Sequence, residues 1–391
     1  MQNRSRYIIC FAFMVGAGCK KPYNPPVVAA PASYLVVEGI INAGSDSTVI
    51  KINRTVNISS GVTKSPEKNA LVSIQSSADN TYQLTEISNG IYATAGLNLD
   101  VTKTYRLSIK TSGNQQYFSD YVPVKNTPPI DSIGFTVQAD GIQLYVNTHD
   151  PNNSTRYYLW NYVETWQFHA KFFSSYITNG TDIVLRTPNQ MIYTCFASDL
   201  SSSIILGSSA KLSQDVIYQS PLGFVPSTSE KLETKYSILV REYALTSEEY
   251  TFWTNLKKNT EQLGSIFDAE PSNINGNIHN VSNPSEPVIG YVGASTVQSK
   301  RVFISNTQLP PTWATIYPYD CQLDSDYFDK PKTIHPENQV LEYLIPLGSG
   351  NIPIAGFTAV NSPILLGYTA AGSECVDCTL RGTNKQPSFW Q

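Results

Sequence analysis

Glu164 lies in the run Thr155–His169 (TRYYLWNYVETWQFH), where aromatic side chains surround a single carboxylate. Residues two apart on a strand share a face, so a strand here would align Trp160, Tyr162, Glu164 and Trp166. An acid among aromatics is the composition of a sugar site, and cleaving a glycosidic bond needs two carboxyl groups about 5–10 Å apart in a cleft. The same alternation describes a buried packing face that meets no ligand, and packing is the stronger expectation. Trp160, Tyr162 and Trp166 are therefore candidate ligand-contact aromatics with core packing as the competing reading.

Cys375-Val-Asp-Cys378 has the spacing of a thiol-redox centre or a zinc half-site. Zinc wants a second cysteine or histidine pair nearby, and none follows. A redox pair belongs at a helix start after a strand, whereas this one lies near the end of the sequence. Structural disulfides among Cys195, Cys321, Cys375 and Cys378 are the expectation, with all three pairings open.

The remaining candidates are weaker. Asp320, Asp324, Asp326 and Asp329 form an acidic cluster, and Asp324-x-Asp326 resembles the start of a calcium loop. The glycine and the closing glutamate of such a loop are missing, since His335 stands at the twelfth position. Ser208-Ser-Ala-Lys211 satisfies Ser-x-x-Lys without its companion motifs. His149, His169, His279 and His335 are scattered, and no phosphate loop or nucleophile elbow is present. The chain carries no catalytic motif, and neither a metal nor a cofactor is expected.

The elements that position these residues read mainly as β. Tyr34–Ile41, Thr48–Asn53, Ala70–Ser76, Tyr82–Thr85, Ile91–Thr94 and Tyr105–Thr111 are short strand-like runs, with turns at Asn89-Gly90 and Ser112-Gly113. That spacing predicts an immunoglobulin-like β-sandwich over residues 34–127. Thr127-Pro128-Pro129 marks a boundary, because two prolines interrupt helix and sheet alike. A larger β-rich domain over 128–391 is expected to follow. It opens with Ser132–Gln138 and Ile142–Asn147 around Asp140-Gly141 and continues with Val288–Gly293, Val297–Asn306 and Glu342–Pro346. One helix stands out. Thr246-Ser-Glu-Glu249 forms a capping box, Tyr250, Trp253, Leu256, Thr260 and Leu263 follow at helical spacing, and Gly264 offers a stop. Ser272–Pro287 reads as an irregular loop.

Composition bounds the function classes. Hydrophobic residues make up 41% and charged ones 15% of 391 residues, which is globular rather than disordered. The formal net charge is −4 and no basic stripe exists, so the electrostatic footprint of nucleic-acid binding is absent.

Cys19 decides the compartment. Arg4 and Arg6, the apolar run Tyr7–Val15 and the small residues Gly16-Ala17-Gly18 are laid out like a secretory signal over residues 1–18. A cysteine next in line predicts a bacterial lipoprotein, cut before Cys19 and acylated on its thiol. The apolar run is shorter than the ~20 residues of a membrane span. The stretch 19–33, rich in proline, reads as an extended tether from the lipidated cysteine.

Several stretches in order resemble one family, the domain-of-unknown-function 4249 lipoproteins of Bacteroidota. They are Tyr34–Gly39, Pro128–Ile133, Tyr157–Trp160 with Glu164–Trp166, and Lys235–Val240 before Tyr250 and Trp253. Gly264–Asp268 with Gly276-Asn277, Pro287–Tyr291, and Cys375–Cys378 with Phe389-Trp390 complete the series. The resemblance implies an outer-membrane, lipid-anchored protein with an immunoglobulin-like first domain. It also implies an accessory role beside a TonB-dependent transporter in nutrient uptake. It supplies no catalytic residues. The expected function is thus non-enzymatic binding, with a glycan-binding module or glycan-active enzyme as the alternative.

Overall fold

The computed structural model describes residues 34–56, 65–261, 276–329 and 338–390. The signal-like segment, Cys19, the tether, Leu263 and Gly264 lie outside the described residues. The chain is mainly β, built as two sandwich-like bodies and a small third sheet.

The first body is a curled sheet. Its hydrogen-bonded path starts at Leu35–Glu38, runs through Thr48–Arg54, Ile91–Thr94, Thr81–Ser88, Leu71–Ser76, Thr104–Lys110, Val122–Lys125 and Ala294–Ser295, and ends at Ile41–Asn42. The path's two ends are neighbours in sequence, so the sheet folds back on itself around one core. Leu35, Ile50, Ile52, Val72, Ile74, Leu107 and Ile109 fill that core. Ile50 and Ile52, Val72 and Ile74, and Leu107 and Ile109 each flank a polar residue, which is why a period of two was visible in the sequence.

The boundary expected at residue 127 holds for only one pass of the chain. Ile278–Asn280, placed in an expected loop, is a strand that pairs antiparallel with Tyr117–Ser119. Ala294–Ser295 then pairs parallel with both Ile41–Asn42 and Val124–Lys125. Ile278, Val288, Val292 and Ala294 are buried in the first core. The expected strand Val288–Gly293 is instead an extended crossover, joined to the edge strand by Ile289 N–H to Leu35 O at 2.9 Å. Thr127 meets Thr296 where the chain leaves again, its amide donating to Thr296 Oγ1 at 2.9 Å. The first body therefore has two segments, and its second segment interrupts the larger domain.

The second body packs a three-stranded sheet (Ile130–Val137, Gly141–Asp150, Asp215–Pro226) against a five-stranded one. In the latter, Tyr157–His169 pairs with Thr194–Leu200, Ile205–Ser208 and Lys235–Ala244, and Lys235–Ala244 pairs onward with Val297–Ser305. Ile142, Leu144, Val146, Trp160, Ile238 and Val240 meet between them. The expected helix is Ser247–Glu261, with Thr246 Oγ1 accepting the Glu249 amide at 3.2 Å. It lies across the start of the long strand, where Tyr250 and Tyr157 stack 4.8 Å apart.

The small third sheet joins Asp324–Tyr327, Leu365–Gly372 and Asn351–Thr358. Glu342–Pro346, expected as a strand, belongs instead to a helical turn over Val340–Leu344. Val340 and Leu344 are both buried, and a spacing of four turns them to one side of a helix. Among the described residues, no helix is long and apolar enough to cross a membrane.

Candidate functional site: an exposed aromatic sheet face

Trp160, Tyr162, Glu164 and Trp166 do share a face, and it is the inner one. Trp160 is fully buried and donates its indole N–H to Glu242 at 2.7 Å. Tyr162 packs against the same core. Trp166 donates to Glu230 at 3.2 Å, with the Lys231 ammonium 4.9 Å from its ring centre. Glu164 is held by the Lys231 ammonium and the Tyr236 hydroxyl. The three aromatics offered as ligand contacts thus build the sandwich interior and present no surface platform. The sheet covers them because the opposite sheet is apolar at the facing positions.

Acidic side chains recur in this interior, each consumed by a neighbour. Glu242 also accepts from Thr148 at 2.9 Å. Burial pushes its carboxyl up to about 7, although the Trp160 and Thr148 donors favour the anion. Asp215 accepts from the Tyr158 and Ser209 hydroxyls. Burial, followed by the hydrogen bond to Asp215, drives the Tyr158 hydroxyl well above the ordinary tyrosine range.

The cysteines form two disulfides, Cys195–Cys378 and Cys321–Cys375. The neighbours Cys375 and Cys378 do not bond to each other, so the dithiol centre their spacing suggested does not exist in the folded chain. Each ties a different segment to the turn Ser373–Leu380. The calcium-like Asp324-x-Asp326 lies in a strand rather than a loop, and burial raises the Asp326 carboxyl. Among the described residues no cluster of His, Cys, Asp or Glu could hold a metal.

The exposed aromatic surface is on the other sheet. Along Gly141–Asp150, Ile142, Leu144, Val146 and Thr148 point inward, which turns Gln143, Tyr145, Asn147 and His149 outward. Register pairs Gln143 with Phe224 and Tyr145 with Pro221 on the adjacent strand. Tyr218 is 75% exposed and Phe224 41%. Phe224, Tyr145 and Tyr218 therefore follow one another along the face at steps of about two residues, or ~7 Å.

Two glycines let the rings lie down. A Cβ at Gly134 would sit 2.5 Å from the Tyr145 hydroxyl oxygen, and one at Gly141 would sit 2.5 Å from Phe224 Cζ. The strand that carries Tyr218 and Phe224 shifts register twice, between the pairs at Leu144 and Tyr145 and again between those at Val146 and Thr148. Gln219 takes the extra place with φ +50°, its amide donating to Asn147 Oδ1 at 2.6 Å. Such a bulge re-aims side chains on its strand. At the end of the face, His149 meets Asp131 at 2.8 Å, which raises the imidazole pKa. The same row carries the amide side chains of Gln143 and Asn147. Flat rings flanked by neutral polar groups suit the C–H face and hydroxyls of a sugar.

None of Tyr145, Tyr218 and Phe224 is conspicuous in the sequence. The alternation of Gln143, Tyr145, Asn147 and His149 with apolar residues was a usable signal for one of them. The bulges break the period of two on the partner strand, so Tyr218 and Phe224 carried none.

The fold is mainly β and sandwich-like, with a row of aromatics on one outer sheet face. The chain belongs to the family described as Domain of unknown function (DUF4249), whose model matches residues 20–301. No curated protein matches the sequence. Among solved structures, one neighbour is a Bacteroides uniformis protein whose name proposes carbohydrate binding. It is 11% identical, covers 55% of this chain and 90% of its own, and has a TM-score of 0.15. Another is the adhesin InvE of Yersinia pseudotuberculosis, 15% identical over 54% of this chain and 55% of its own, with a TM-score of 0.14. Both likenesses are too slight to bear on what this chain does.

Proposed function

We propose that the chain is a non-enzymatic binding protein of the bacterial outer membrane, anchored by lipid on Cys19 and acting beside a TonB-dependent transporter in nutrient uptake. The signal-like start, Cys19 and the proline tether support the anchor. The pairing of Glu164, Glu230, Glu242 and Asp215 inside the second sandwich supports binding over catalysis. Cross-linking the tagged protein in its own envelope, followed by mass spectrometry, tests the partner. Recovery of a transporter barrel is the expected outcome, and a correctly lipidated protein that captures no barrel refutes the accessory role.

The observation that carries the binding reading is the row Tyr145, Tyr218 and Phe224, and it favours a glycan as the ligand. A flat, exposed aromatic ring offers a large apolar area with a polar handle, which suits the C–H face of a sugar ring. A polysaccharide panel should show binding by the wild type and its loss in Tyr218→Ala and Phe224→Ala, without release of reducing sugar. Wild-type protein that binds no glycan removes this reading, and release of reducing sugar replaces it with an enzyme.

A further inference from the structure

A second site faces the other way. The outer face of the five-stranded sheet forms the floor of a cleft of about 620 Å³, roofed by residues 38–51 of the first body. That volume lies within the range of small-molecule sites. Leu159, Asn161, Leu239, Arg241 and Tyr243 make the floor, and Trp253 of the helix Ser247–Glu261 stands beside them.

The floor is chemically unfinished. Arg241 is half-buried, in register with Asn161 on one side and Ser299 on the other. Among the described residues its guanidinium forms no ion pair and no hydrogen bond. Asn161 donates weakly to the Tyr243 hydroxyl at 3.4 Å, and its own Oδ1 is buried with no donor. Arg301, further along the same face, is already engaged by Ser237 Oγ at 2.9 Å and by the Phe389 ring 3.6 Å away. Burial and then the charge of Arg241 push the Arg301 pKa down. On the roof, Glu38 lies opposite Lys51 in register, which balances that corner, and Asp46 disfavours a second negative charge.

We propose that this cleft binds a small organic monocarboxylate bearing a hydroxyl or amine next to the acid group. The carboxylate takes the planar fork of Arg241, which matches it in two parallel hydrogen bonds. The neighbouring donor fills Asn161 Oδ1, ending the cost of an unsatisfied buried acceptor. The carbon skeleton rests on Trp253 and Leu239. Hydroxy acids and amino acids both carry this chemistry.

Calorimetry on the intact protein, with L-lactate and L-alanine as probes, tests the site and separates these sources. Glycerol and the methyl ester of lactate serve as uncharged controls. At least one acid should bind, the controls should not, and Arg241→Gln should weaken binding about 10- to 100-fold. Asn161→Asp places an internal carboxylate beside Arg241 and should abolish binding while giving the guanidinium a partner. Thermal melting checks that each variant is folded, and Asn161→Asp alone decides if Arg241→Gln is not. The proposal falls if no acid binds at about 10 mM, if the ester binds equally, or if both folded variants bind like the wild type. Failure of the polysaccharide panel leaves this site untouched, because Tyr145, Tyr218 and Phe224 are on the opposite sheet.

Discussion

Trp160 and Glu242 meet at 2.7 Å inside the second sandwich, and neither side chain reaches solvent. A carboxyl so placed is easier to keep neutral than charged, which is why Glu242 titrates near about 7. Burial likewise lifts Glu249, which faces the Gly293 backbone, to about 8.

These two acids set the pH response. The unfolded chain releases both protons near 4.5, whereas the folded chain keeps them to about 7 and about 8. The folded state thus holds more protons in that window, and stability falls as pH rises from about 4.5 to about 8. Asp150 acts oppositely. Burial disfavours its charge, but Ser154 and the amides of Asn152, Ser154 and Thr155 outweigh this and hold it at about 2. Its contribution is present above the ordinary carboxylate value and is lost as pH falls through about 2. Urea midpoints should therefore peak near pH 4–5, and Glu242→Gln with Glu249→Gln should flatten the decline above it. A midpoint that climbs steadily from pH 5 to 8 would contradict this assignment.

Inside and outside aromatics should separate cleanly. Trp160→Ala empties a fully buried site and should cost about 3–5 kcal/mol in chemical denaturation. Gly207→Ala should also destabilise, since its Cβ would fall 2.4 Å from Trp160 Cη2. Tyr218→Ala, at the exposed face, should change stability by no more than about 0.5 kcal/mol.

The disulfides cross-link distant points, 183 residues apart for Cys195–Cys378 and 54 for Cys321–Cys375. Closing such loops restricts the unfolded chain, so replacing either pair by serine should cost about 2–5 kcal/mol. Peptide mapping without reductant should find these two linkages, and purified protein should not catalyse insulin reduction. A Cys375–Cys378 linkage in the native protein would overturn the pairing.

The first body needs its second segment. A fragment of residues 34–127 lacks Ile278, Val288, Val292 and Ala294 from its core and leaves the strand Gln116–Ser119 paired on one edge only, with Thr104–Lys110. It should give no cooperative melt. Joining residues 276–296 back to it through a linker should restore one, as read by circular dichroism.

Much of this architecture was legible because it is local. A period of two marked the strands at Thr48–Arg54, Leu71–Ser76 and Thr104–Lys110, and a capping residue marked the helix after Thr246. Those patterns record which face of an element meets apolar neighbours. They determined that the chain is mainly β, where the helix Ser247–Glu261 begins, and that Trp160, Tyr162, Glu164 and Trp166 share a face.

Which face was inside depended on the opposing sheet, and only the tertiary structure supplied it. Burial is a property of what lies across a sheet, so a strand can reveal that two faces differ without revealing which aromatic row is covered. The same limit hid the cysteine partners, because residues 183 positions apart become neighbours through the path of the whole chain. It hid the return of residues 276–296 into the first body, since pairing between strands leaves no mark on either strand alone. The cleft at Arg241 has the same origin. Its lining comes from residues 38–51 of the first body and from the outer face of the five-stranded sheet, surfaces that the fold, and not the sequence order, brings together.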